Sequence, residues 1–220
     1  MTQNQPPLQW SLVVPVKVLA KAKTRMAEAA GPHRQALALA IAADTVAALL
    51  RCERVQRVIV VTDDPVPAAE LLALGAMIVP DEPDAGLNPA LTHGAARIRE
   101  TAPETGVGAI SADLPALRPN ELTHVLDAAA QSPEAFVPDA AGTGTTLYTA
   151  RPGAPFRPAF GPGSRAAHRA LGAQELLLDD ITSVRQDVDT LQDLQAALTL
   201  GTGPRTTRIA AQLPAVRTTA

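Results

Sequence analysis

The stretch Val107–Leu117, V-G-A-I-S-A-D-L-P-A-L, decides the fold. A short apolar run climbs to one carboxylate, Asp113, and breaks at Leu114-Pro115. This is the pattern of a buried strand ended by a proline-containing turn. A residue that precedes proline is biased to extended geometry, so the chain turns away just past Asp113. In open α/β sheets, ligands bind beyond the carboxyl ends of the strands. Asp113 is therefore expected on the floor of a site, at the end of a central strand.

Upstream of this stretch the chain alternates regularly. Trp10–Val16 (W-S-L-V-V-P-V) predicts a first strand ending near Pro15. Leu39, Ala42, Val46 and Leu49 recur at helical spacing within a helix over Arg34–Leu50. Val55–Thr62 is a β-rich run that ends in Asp63-Asp64-Pro65. A short helix over Pro67–Leu74 is closed by Gly75. Ala76–Pro80 predicts a third strand, and a helix follows from Leu87 to about Glu100. Downstream, Pro119–Gln131 places Leu122, Val125, Leu126 and Ala129 on one helical face.

Four strand–helix alternations argue for a parallel sheet with helices on both faces. The rest is less regular. Ala135–Pro138 reads as a short strand, Gly142–Ala150 as a turn followed by a β-branched strand, Arg151–Gly163 as irregular and Ser164–Leu171 as a short helix. Glu175–Leu178 and Ser183–Asp187 read as extended, and Asp189–Leu200 as the last long helix. The expectation is a three-layer α/β fold with a mainly parallel, mixed central sheet. Residues 1–200 form one domain, and residues 201–220 a loose tail that docks at most near Ile209.

Composition narrows the function classes. The chain has 220 residues, 46% hydrophobic and 19% charged, as suits a packed globular domain. The one cysteine, Cys52, excludes an internal disulfide framework and a multi-cysteine zinc site. A net charge of −3 gives no electrostatic case for nucleic-acid binding. No membrane span and no secretory signal over Met1–Gln9 are expected, so a cytoplasmic location is the default.

The three lysines, Lys17, Lys21 and Lys23, lie together straight after the first strand, and Arg25 follows. This cluster reads as an anion site, with a solvated basic loop as the alternative. Carboxylates end several strands. Asp187-Val188-Asp189 sets two at alternate positions, on one side of an extended segment. Paired carboxylates on one side are a hard-oxygen site of the type Mg²⁺ takes along with phosphates. The alternative for Asp189 is a helix cap, since Thr190-x-x-Asp193 resembles a capping box. Gly142–Thr146 and Phe160–Ser164 are small-residue loops whose backbone amides suit an anion. His168 reads as a polar position on a helix face, with a site group as the alternative. G-x-x-x-x-G-K-[ST], G-x-G-x-x-G after the first strand and H-E-x-x-H are all absent. Cations, strand-end carboxylates and backbone donors together describe a phosphate-handling site.

Seven segments in order then resemble one family. They are V-P-V-K-x-L-x-x-A-K-T-R (Val14–Arg25), V-T-D-D (Val61–Asp64), G-L-N-x-A-L (Gly86–Leu91), A-D-L-P-A-L (Ala112–Leu117), G-T-G-T-T-L (Gly142–Leu147), F-G-x-G-S-x-x-A-H (Phe160–His168) and D-V-D-T-x-x-D-L (Asp187–Leu194). The chain resembles the CofC/FbiD guanylyltransferases of coenzyme F-420 biosynthesis. The resemblance implies a Rossmann-like nucleotidyltransferase fold and transfer of GMP from GTP to a three-carbon phosphate acid. For the actinobacterial branch, which the proline- and alanine-rich style resembles, the acceptor implied is phosphoenolpyruvate; the alternative is 2-phospho-L-lactate. It implies Thr146, Gly161 and Ser164 at the acceptor and Asp113, Asp187 and Asp189 on Mg²⁺. Lys17, Lys23 and Arg25 would neutralise phosphates, and Gly86, Asn88, Lys17 and Asp113 would bind GTP. The product would pass to a downstream transferase of the pathway, and a homodimer stays open. Two rival readings are a nucleotidyltransferase acting on a sugar phosphate or molybdopterin, and a nucleotide-binding regulatory module.

Overall fold

The computed structural model describes residues 6–82 and 84–217. Met1–Gln5 of the segment expected to lack a leader, and 218–220 of the expected tail, lie outside the described residues. Strands β1 (Trp10–Pro15), β2 (Val55–Val61), β3 (Met77–Val79) and β4 (Gly106–Ile110) alternate with helices α1 (Ala27–Ala30), α2 (Arg34–Leu49), α3 (Pro65–Ala73) and α4 (Leu87–Thr101). Next come α5 (Pro119–Ala129), β5 (Glu134–Pro138), β6 (Thr145–Ala150), α6 (Ser164–Ala170) and β7 (Gln174–Glu175). The helices α7 (Thr182–Arg185), α8 (Leu191–Leu200), α9 (Pro204–Ala210) and α10 (Pro214–Arg217) complete the order.

The strand order is β3-β2-β1-β4-β6-β5-β7. The strand that ends below Asp113 is thus the middle one. β1 pairs in parallel with β2 and β4, and β2 with β3. β6 is antiparallel to both β4 and β5, and β5 is parallel to β7. Among the described strands only β6 runs against the others, so the sheet is mixed but mainly parallel, as expected.

Alternating side chains feed two layers. Leu12 and Val14 of β1 join Val46 and Leu49 of α2 and Leu122, Val125 and Leu126 of α5 in one core. Val13 of β1 faces the other way, onto Leu91, Ala95 and Ile98 of α4. A Cβ on Gly94 of α4 would meet Val13 Cγ1 at 2.7 Å, so glycine there lets the helix close on the sheet.

Two expectations for the second half fail, and the structure supplies the reason for the first. The stretch expected to be extended over Ser183–Asp187 is helical, Thr182–Arg185, and the strand near Glu175 has two residues. Glu121 of α5 accepts from Ser183 N and from Ser183 Oγ, both at 2.8 Å. That carboxylate satisfies donors at the start of a short helix which local sequence cannot cap.

The tail is likewise not loose over 204–217. Ala210 and Leu213 are buried against Leu37 and Ile41 of α2. Asp44 of α2, itself buried, accepts from Thr206 N at 2.7 Å and Arg205 N at 3.3 Å. It caps α9 from a distant helix, and no residue next to α9 announces the cap.

Candidate active site

The first loop leaves β1 and crosses the ends of the strands through two short 3-10 turns, Leu19–Lys21 and Thr24–Met26. Arg34, at the start of α2, holds this loop from below. Its guanidinium donates to the carbonyls of Ala22, Ala20 and Leu19. Asp64, after β2, accepts from Leu19 N at 2.8 Å and from Val66 N at 3.0 Å. One carboxylate thus fixes the loop and caps α3 together.

Between the two turns Lys23 takes the left-handed conformation, φ 52°. That aims its side chain inward, where it is 6% exposed. Its Nζ lies 2.8 Å from Asp113 Oδ2 and 3.4 Å from Asp189 Oδ1, and donates to the Val188 carbonyl. Arg25 Nη1 stands 3.6 Å from Asp189 Oδ2. Burial opposes the Lys23 charge, but Asp113 and then Asp189 more than offset it, so its pKa is raised. The structure therefore brings Lys23 and Arg25 together with Asp113 and Asp189, which lie far from them in sequence.

Asp113 is held by its own backbone. Thr45 of α2 donates to the Ala112 carbonyl at 3.0 Å and accepts from Leu114 N at 3.1 Å. The Asp113 carbonyl accepts from Val188 N at 3.0 Å. Asp187 joins the same negative field. Burial, then the charges of Asp139, Asp189 and Asp113, push its carboxyl up to about 7. Asp189 does not cap α8. Thr190 does, in a capping box with Asp193, which leaves the Asp189 carboxylate for the two cations.

A cleft of about 390 Å³ opens over this cluster, lined by Lys17, Lys23, Arg25, Asp113, Asp189 and Phe160, among others. Leu87 and Leu91 of α4 add an apolar wall. Lys17 is exposed and the structure gives it no ion pair among the described residues. Gly86 precedes α4 with φ 104°. Asn88 has work the sequence does not announce. Its Nδ2 donates to the Phe160 carbonyl at 2.9 Å and its Oδ1 accepts from Phe160 N at 2.8 Å. Both ends of the amide clamp the loop that carries Gly161.

Thr146, Gly161 and Ser164 are not among the residues lining the cleft, although Phe160, next to Gly161, is. Ser111, which lines the cleft, donates its amide to the Thr146 carbonyl at 2.9 Å. Ser164 is buried, and its amide bonds the Gly161 carbonyl at 3.1 Å. Thr146 Oγ1 is buried with no hydrogen-bond partner among the described residues. The loop before Thr146 is not an open anion cradle. Thr143 N and Gly144 N both donate to the Asp139 carboxylate, at 2.9 and 2.8 Å. A Cβ on Gly144 would lie 2.3 Å from Asp139 Oδ2, so this loop is closed on a protein carboxylate. His168 is not on an exposed face either: it is fully buried.

Chemically, the cleft offers cations for phosphate oxygens and carboxylate oxygens for a hard cation, at the carboxyl end of a central strand. Among the described residues no three His, Cys, Asp or Glu side chains form a ready-made metal cage. No helix among the described residues is long and apolar enough to cross a membrane.

Comparison with known proteins places the chain in a family. Residues 10–213 match the family described as guanylyl transferase CofC like. A protein of Thermomonospora curvata, named phosphoenolpyruvate guanylyltransferase, is 68% identical over 97% of this chain and 94% of its own length. One of Streptomyces coelicolor with the same name is 60% identical over 94% of this chain and 98% of its own. Among solved structures, a putative nucleotide-diphospho-sugar transferase from Desulfovibrio desulfuricans superposes with TM-score 0.72 at 16% identity, covering 95% of this chain and 97% of that one. A 4-diphosphocytidyl-2C-methyl-D-erythritol synthase superposes at 0.55 with 13% identity, covering 88% and 99%. At those identities the likeness concerns the fold, and the fold is that of Rossmann-like nucleotidyltransferases. With its sequence matched almost end to end and its strand-end cleft charged for phosphate, the chain belongs to the CofC-like guanylyl transferase family.

Proposed function

We propose that the protein transfers GMP from GTP to phosphoenolpyruvate, releasing pyrophosphate and forming enolpyruvoyl-diphospho-guanosine, a precursor that a downstream transferase of coenzyme F-420 synthesis consumes. The carrying observation is the meeting of Lys23 and Arg25 with Asp113 and Asp189 in one cleft, in a chain whose near relatives are named for this reaction. The acceptor phosphate is already an anion near neutral pH, so no general base is required. One of its oxygens attacks the α-phosphorus of GTP, the bond to the β-phosphate oxygen breaks, and pyrophosphate carries away the electron pair.

The residues divide the work. Lys17, Lys23 and Arg25 balance the triphosphate and the leaving pyrophosphate. Gly86 and the α4 wall lie towards the guanosine, with Asn88 setting the Phe160 loop against it. Thr146, Gly161 and Ser164 take the acceptor; the unpaired buried hydroxyl of Thr146 supports this, because an unsatisfied buried polar group calls for a partner. Asp113, Asp187 and Asp189 would hold Mg²⁺. The donor set fits, being all carboxylate oxygens, and Mg²⁺ completes its shell with substrate phosphates and water rather than a full protein cage. Bound there, the ion supplies charge neutralisation between two anionic reactants.

The test is to incubate the protein with GTP, Mg²⁺ and either phosphoenolpyruvate or 2-phospho-L-lactate, with the next pathway enzyme trapping the labile adduct. Mass spectrometry names the acceptor, and pyrophosphate release gives the rate. Turnover with neither acid, or equal turnover with excess chelator, contradicts the corresponding part of the reading.

A further inference from the structure

His168 sits at the centre of a buried network that the reaction above leaves unused. Its Nε2 accepts from the Ala159 amide at 2.9 Å, and its Nδ1 lies 3.0 Å from Thr145 Oγ1. A backbone amide can only donate, so Nε2 is the bare nitrogen and Nδ1 carries the proton. The ring stacks on Tyr148 at 4.8 Å and 16°, and meets Phe160 edge-on at 5.3 Å. Tyr148 in turn donates to Glu134 and accepts from Arg157 N at 3.0 Å, and Arg157 pairs with Glu134.

One imidazole therefore joins three segments. It holds the start of β6 through Thr145, the loop before α6 through Ala159 and Phe160, and α6 through its own backbone. Each segment carries one acceptor residue. Thr146 follows Thr145, Gly161 follows Phe160, and Ser164 lies one helical turn before His168. Asn88 clamps the same loop at Phe160 from α4, so the loop is pinned on both sides.

We infer that His168 is a positioning residue that sets the spacing of Thr146, Gly161 and Ser164 without itself touching the acceptor. This rests on the acceptor assignment proposed above. Both ring nitrogens are engaged by protein atoms, which leaves neither for substrate.

His168→Leu keeps comparable bulk and loses both bonds, whereas His168→Gln still offers one acceptor and one donor. The experiment measures KM for each substrate and amide exchange across 159–164. Expected in His168→Leu is a rise of about tenfold in the phosphoenolpyruvate KM, the equivalent of one net hydrogen bond. The GTP KM stays within about twofold, amide exchange at Ala159 and Phe160 quickens, and His168→Gln recovers part of each change. A rise in both KM values together, or an unchanged acceptor KM despite faster exchange, overturns the inference. Should His168→Leu not fold, His168→Gln and Thr145→Val carry the same KM comparison. Absence of product with the unaltered protein counts against the proposed reaction alone, and the exchange comparison still decides whether His168 orders the loop.

Discussion

The amide of Val188 donates to the carbonyl of Asp113 at 3.0 Å. This one backbone bond joins the segment after α7 to the end of β4. It sets Asp187 and Asp189 on either side of a residue in contact with Asp113. Because the backbone does the joining, the three carboxylates are free of structural duty towards each other.

Asp113→Asn tests that division. The Thr45 and Val188 bonds to the backbone remain, and Lys23 keeps Asp189 and the Val188 carbonyl. The fold should persist, with a melting temperature within a few degrees of the original. Transfer should fall by about 10²-fold or more, as when a transition-state charge partner is lost. Steady-state pyrophosphate release measures it, and a near-normal rate removes Asp113 from the site.

Arg34→Ala tests the support of the cationic loop. Three carbonyls lose their shared donor, and Lys23 loses the frame that holds its left-handed backbone. The KM for GTP should rise about tenfold, corresponding to a charge-assisted bond of ~1.5 kcal/mol, with a smaller effect on the acceptor. Kinetics with each substrate varied in turn decide it; an unchanged GTP KM rules the support out.

Asp44→Ala tests the docking of the C-terminal helices. Two amides at the start of α9 lose their acceptor, which costs about 1–2 kcal/mol. Asp44 lies away from the cleft, so turnover should stay near normal while urea unfolding shifts to lower concentration. An unmoved midpoint would show that the cap contributes nothing.

The pH dependence of stability follows from His168. Burial pushes its pKa down to about 4, against the opposing Ser164 carbonyl and Glu134 charge. The unfolded chain therefore binds more protons between about pH 4 and 6.5. The contribution of His168 is complete above pH 6.5 and is lost as pH falls towards 4, by up to about 3 kcal/mol. Tyr148 stacks on the same ring and the Glu134 charge acts on it, and subtracting His168→Gln removes their share. The advantage of the unaltered protein over that variant should shrink from pH 7 to pH 4.5; a constant difference contradicts the neutral buried ring.

The sequence by itself determined the layers and where charged side chains stand along the chain. Alternation of apolar runs, with the break at Leu114-Pro115, was enough to set β4 in the middle and Asp113 at its end. The cationic Lys17–Arg25 cluster and the alternate placement of Asp187 and Asp189 were legible because charge and spacing are local properties. Tertiary structure decided the rest, since its causes lie far apart in the chain. Helix α7 exists because Glu121 reaches Ser183, and α9 because Asp44 reaches Thr206. The amides of Thr143 and Gly144 went to Asp139 rather than to a substrate anion. His168 read as a polar position on a helix face, yet folding buried it between three segments. A buried polar atom takes whichever partner packing brings within reach, and that choice is made in space rather than along the sequence.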